Sequence, residues 1–197
     1  SRQQMLDGQA QPNTAKRHTQ QVELNAPYVA EMVRQEIIRR YGNLGTTGGF
    51  KVITTVVSKD QEAADAAVRE GLMQYDLRHG WRGAEARIEL NQTDTSQQLA
   101  ELKKRPIIQQ LPAALVLTVN NVKANLLLAN GQTVSIGSSA SNAIGKSLSS
   151  AIKAGDIIRL QRKNKSWLLA QIPSAQAALV SLQPEDGAVR AIVGGFS

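Results

Sequence analysis

The 197-residue chain has no cysteine, which excludes disulfides and thiolate metal sites and leaves both a reducing cytosol and a periplasm open. His18 and His79 are its only imidazoles, too few and too far apart in sequence for a metal centre, so both read as solvated polar residues. No window approaches the roughly 20 apolar residues that a membrane span needs. Aromatics are scarce, with two Trp, three Tyr and two Phe against fifteen Gly and six Pro, so many short elements around a light core are expected, not one long bundle. There is no initiating Met, no signal-like apolar stretch and no lipidation site; targeting information is expected to be absent or to have gone with missing termini. The 42% apolar share still suffices for a core, and a soluble piece holding one large or two small domains is expected.

Catalytic constellations are missing too. No nucleophile–base pair, paired-carboxylate site, P-loop or metal set emerges from the spacing, so no catalysis, cofactor or metal is expected of this stretch. Glu62, Asp65, Asp156 and Glu185 read as solvated or capping acids.

What the chain does carry is positive charge, a net +7 that favours acidic partners. It is clustered: Arg34, Arg39 and Arg40 end one predicted helix, Lys103-Lys-Arg105 precedes Pro106, and Arg159, Arg162, Lys163 and Lys165 crowd one predicted hairpin. The plainer reading of these clusters is that Arg39 and Arg40 complement a helix dipole and the hairpin lysines keep a turn wet.

Residues 1–26 are Gln-rich without an apolar period and read as a flexible lead-in. Asn25 as cap and Pro27 in the first turn then open a helix to Tyr41-Gly42, with Val29, Val33 and Ile37 on one apolar face. The β-branched run 50–57 predicts a strand. Ser58-x-x-Gln61 is a capping-box pattern, and Ala64, Val68 and Leu72 follow on a second helical stripe to about Asp76. Trp81, set between glycines, is either a buried anchor or a partner contact, and the glycines favour the first. Residues 27–85 thus form a segment of two helices and one strand.

Residues 113–119, 122–129 and 132–136 predict three strands joined at Asn120-Asn121 and Asn130-Gly131, both suited to tight hairpins. A short helix within 143–153 and strands at 157–161 and 166–172 follow. At the end of the chain, residues 178–183 and 188–193 predict a last hairpin around Pro184-Glu-Asp-Gly187, and the pattern is expected to continue beyond Ser197.

That terminal stretch, Ala178-Leu-Val-Ser-Leu-Gln-Pro-Glu-Asp-Gly-Ala-Val-Arg-Ala-Ile-Val-Gly-Gly-Phe, resembles the opening of the transpeptidase domain in class A penicillin-binding proteins. Ala26-Pro-Tyr-Val-Ala-Glu-Met-Val-Arg-Gln-Glu, Gly48-Gly-Phe-Lys-Val-Ile-Thr-Thr and Leu77-Arg-His-Gly-Trp-Arg-Gly83 are similar to the segment that links glycosyltransferase to transpeptidase there, and Met5-Leu-Asp-Gly8 to the end of the glycosyltransferase. The resemblance implies that the catalytic glutamates precede Ser1 and that the nucleophile's Ser-x-x-Lys follows Ser197. Neither Ser139-Ala-Ser-Asn142 nor Ser147-Leu-Ser-Ser150 is such a motif.

The resulting fold expectation is α+β: a small five-stranded OB-like β-barrel, residues 86–174, inserted between helix/strand linker segments, with 175–197 starting the transpeptidase domain. Leu115, Leu117, Leu127, Ile157 and Leu168 are expected inside the barrel and Trp167 outside or at its end. Nucleic acid is disfavoured, because the module has one aromatic, Trp167, to stack on. The resemblance implies a periplasmic module, its parent anchored in the inner membrane. Its implied partner is a regulatory outer-membrane lipoprotein activator; the residues themselves make the basic hairpin, Arg159, Arg162, Lys163, Lys165 and Trp167, the physical candidate for docking it, since Arg and Trp are enriched at interface hot spots. A structural spacer and peptidoglycan binding are the other expectations, and the fragment itself is expected to make no membrane contact.

Overall fold

The computed structural model describes residues 23–92 and 94–196. The expected lead-in at 1–26 therefore lies largely outside the described residues.

Helix α1, Pro27–Tyr41, starts on Pro27 with Ala26 as the residue before it and no side-chain cap, so Asn25 does not cap it. It stops at Gly42, whose φ of 57° a side chain would resist. None of its residues is buried. After the single-turn α2, Leu44–Thr47, the stretch expected as a strand is extended but not a strand. It meets the last hairpin at two points, where Thr55 Oγ1 donates to Val189 O at 2.7 Å and Val57 N donates to Arg190 O at 3.0 Å. The reason lies in α3, Ser58–Arg78, whose first turn occupies the next position along the same sheet edge.

Ser58 does not cap α3 either. Val57 is the residue before the helix, and the Gln61 side chain, 2% exposed, turns to the hairpin instead of back to its own helix end. One stripe of α3, Ala64, Val68 and Leu72, is buried as its spacing predicts.

Beyond α3 lie β1, Ala86–Arg87, which was not anticipated, and α4, Thr95–Lys103, in the polar stretch 91–110 where Leu99 and Leu102 predict at most a short helix. Asp94 and Gln97 close a reciprocal capping box on α4. Then come β2, Ala113–Val119, β3, Lys123–Leu128, and β4, Thr133–Gly137, an antiparallel meander with both expected turns. A 3-10 turn, Ser138–Ile144, and the short α5, Leu148–Ala151, lead to β5, Asp156–Lys163, and β6, Ser166–Ala170. The sheet order is β1-β5-β2-β3-β4, with β6 also on β5.

Closure into a barrel would require β4 to pair with β6, and among the described residues no ladder joins them. The structure is an open six-stranded sheet of OB-like order, not the expected closed five-stranded barrel; the 3-10 turn crosses from β4 towards β6 and shares its apolar cluster. The expected interior is also corrected. Ala114, Val116, Leu126, Ile158, Leu160 and Leu169 share the cluster with the 3-10 turn and α5, together with part of Trp81 and Trp167. Leu115, Leu127 and Ile157 point to the opposite face, packed with Leu102 of α4, and Leu117 joins them partly buried. Both faces of the sheet are covered, so alternation carries no sign of which is inner.

A separate two-stranded sheet, β7, Ala178–Leu182, and β8, Val189–Gly194, forms the terminal hairpin. No helix among the described residues is long and apolar enough to cross a membrane.

Candidate functional site

The β5–β6 hairpin projects the basic residues singled out from sequence. Its turn uses Asn164 at φ 54°, a left-handed conformation that Asn tolerates. Opposite each other in the ladder are Arg162 and Trp167, and the guanidinium carbon lies 5.3 Å from the ring centroid, a cation–π contact. Trp167 is half-buried against the interior cluster, so one part of the ring is fixed by packing and Arg162 covers another. Arg162, Lys163 and Lys165 are exposed.

Arg159 does not belong with them. It is 3% exposed: Nε donates to Glu85 Oε1 at 2.8 Å, and Nη1 donates to the Pro106 carbonyl at 2.6 Å and the Leu111 carbonyl at 3.0 Å. With its donors turned inward it cannot meet a partner. It cross-links β5 to the two loops that lead into the sheet.

A larger feature emerges once burial is known. From Pro106 to Pro184 the sequence contains one carboxylate side chain, Asp156. That residue is buried, accepting from Arg87 Nε at 2.9 Å and from Lys153 N at 2.7 Å. Six cations of the same stretch, Lys123, Lys146, Lys153, Arg162, Lys163 and Lys165, are exposed, and none forms an ion pair among the described residues.

The other basic clusters differ. Arg34 donates from Nε and Nη2 to Glu31 at 2.7 Å each, and with Gln35 it holds that carboxyl down at about 2. Arg39 and Arg40 do the same to Glu36, also at about 2. Lys104, and to a lesser degree Arg105, lower Glu101. Arg34, Arg39, Arg40, Lys104 and Arg105 are thus each paired within one helical turn, while the six exposed cations of residues 106–184 form no ion pair among the described residues.

The module is seated by a buried polar joint. Asp76, 2% exposed at the end of α3, accepts from Arg82 Nη1 at 2.5 Å, Gln171 Nε2 at 2.6 Å and Ser174 N at 3.2 Å. Arg82 N donates to Gln171 Oε1 at 3.0 Å, and Trp81 Nε1 donates to the Ala151 carbonyl at 2.9 Å. Entry and exit of the sheet are therefore tied to each other. The Trp-Arg pair was visible in the sequence; its partners were not.

A family model described as "Penicillin-binding protein OB-like domain" matches residues 81–175, the stretch from Trp81 through the whole open sheet. The crystal structure of penicillin-binding protein 1A from Haemophilus influenzae superposes on 100% of this chain and 29% of its own, with a TM-score of 0.83 and 39% identity. The chain belongs to the penicillin-binding proteins. Penicillin-binding protein 1A of Haemophilus influenzae is 41% identical over 95% of this chain, and that of Pseudomonas aeruginosa 40% over 95%. The chain spans 22% and 24% of those relatives, about a quarter of their length. Among penicillin-binding proteins, the part seen here thus includes the OB-like domain, and all six exposed cations lie within the matched residues.

Proposed function

We propose that this chain serves as a non-catalytic linker and docking module of a bifunctional peptidoglycan synthase that carries a glycosyltransferase and a transpeptidase. In this reading the module sits in the periplasm, the longer protein is anchored in the inner membrane, and the exposed cations of the OB-like sheet receive a regulatory partner, such as an outer-membrane lipoprotein activator. The supporting observation is the charge of residues 106–184: six exposed cations, with the single carboxylate of that stretch buried and paired to Arg87. Such a field steers an acidic protein face and raises its association rate. Arg162 and Trp167 are residue types enriched where binding energy concentrates.

The test is a titration of the ¹⁵N-labelled chain with candidate lipoproteins and with soluble glycan, read by chemical shifts. Arg162→Glu, Lys163→Glu and Lys165→Glu together are expected to slow association with the acidic partner and to leave the spectrum of the core unchanged. Shifts caused by glycan alone would favour direct peptidoglycan attachment, and no shifts with either would favour a plain spacer. Binding that ignores the triple reversal would remove this hairpin from the interface.

A further inference from the structure

We infer that α3 is a rigid tie that makes the OB-like sheet and the β7–β8 hairpin one mechanical body, so that displacement of the sheet carries the hairpin with it. This goes beyond the docking reading and does not depend on it. At 21 residues the helix is about 30 Å long, enough to reach both pieces. At its start, Gln61 pairs with both backbone groups of Ile192, and Asp60 pairs with Arg190 at 3.0 Å. At its end, Asp76 accepts from Gln171 and Ser174 on the exit of the sheet.

Between the two latches runs one apolar cluster that belongs to all three parts. Val68 and Leu72 come from the helix, Leu111 from the loop into β2, Ala170 from β6, and Val193 and Phe196 from the hairpin and its end. A shared core of this kind does not flex continuously, because interiors are close-packed. Polar latches at both ends and apolar packing between them leave no hinge along the α3 connection, whereas a linker of ordinary loop composition would let the two pieces reorient independently.

The experiment measures residual dipolar couplings on the full 197-residue chain in a weakly aligning medium, fitting amides of β2–β6 and of β7–β8 separately. One alignment tensor is expected to satisfy both sets. In Asp76→Asn the amide nitrogen replaces one of the two acceptor oxygens and opposes either the Gln171 donor or those of Ser174 and Arg82, and in Leu72→Ala the shared core loses its middle; each is expected to separate the tensors while each set still fits its own. Two tensors in the unsubstituted chain would overturn the proposal. So would a common tensor that survives both substitutions. Should Leu72→Ala lose its dispersed spectrum, Asp76→Asn decides alone.

Discussion

The side-chain amide of Gln61 stands in for a strand residue against Ile192: Nε2 donates to the Ile192 carbonyl at 3.0 Å, and Oε1 accepts from the Ile192 N–H at 3.0 Å. A β8 edge that would otherwise expose two backbone groups is sealed by a helix. The same pairing explains why the β-branched run before α3 gains only one backbone bond to β8.

Replacing Gln61 by Leu keeps the bulk and strands both groups of Ile192. A loss of about 1–3 kcal/mol in urea unfolding is expected, with faster hydrogen exchange of the Ile192 amide. Gln61→Glu should lose about as much, since a carboxylate oxygen would then oppose the Ile192 carbonyl. Unchanged exchange in both variants would mean that the pairing does not hold in solution.

Arg159 and its three hairpin neighbours should separate cleanly. Arg159→Ala leaves the part-exposed Glu85 and the Pro106 and Leu111 carbonyls without their donor, and leaving such groups unsatisfied costs about 1–3 kcal/mol. Lys163→Glu and Lys165→Glu are exposed changes, each expected to stay within about 0.5 kcal/mol, and Arg162→Glu, which loses the contact with Trp167, is expected to cost about 0.5–1 kcal/mol. Thermal melts of the four variants decide.

Acid should act first on α1. Glu31 and Glu36 have folded values of about 2 against an ordinary 4.5, both lowered first by hydrogen bonds from their arginines. A depressed carboxylate contributes stability that is present above about pH 4.5 and lost as pH falls from there through about 2. Helical shifts of residues 30–40 are therefore expected to decay over that window while β2–β6 amides hold. Salt at about 1 M should flatten the effect, because both pairs are exposed. An α1 that is equally helical at pH 2 and pH 6 would contradict this.

Gly155 precedes β5 at φ 87°, and a Cβ there would run into the Ile88 carbonyl oxygen. Gly155→Ala is expected to destabilise by more than about 1 kcal/mol, since both the conformation and the space are wrong. Gly131→Ala, at φ 83° with nothing nearby, suffers only the first penalty. Chemical denaturation of the two variants should rank them in that order.

The meander was readable because its signals are local. Asn130-Gly131 forms the tight turn its dipeptide implies, and Asn120 accepts from the N–H groups of Val122 and Lys123 through its own side chain. The Asp94–Gln97 box was equally local and went unread, hidden in a polar stretch where only Leu99 and Leu102 marked a helix. Of the candidate site, Arg162, Lys163 and Lys165 were legible as exposed turn cations, but Arg159, three residues away on the same strand, was not separable from them.

Local chemistry in the chain settled where it turns, which helix stripes are apolar, and that positive charge outnumbers negative. Tertiary structure alone decided which face of the sheet became the inner one, because with both faces buried the alternation reads the same either way. It also decided that Gln61 seals a sheet edge instead of capping a helix, and that Asp156 is hidden while six cations remain outside. The last two outcomes depend on groups more than sixty residues apart finding each other, Gln61 with Ile192 and Arg87 with Asp156, and hydrogen-bonding capacity written in a side chain does not name its partner.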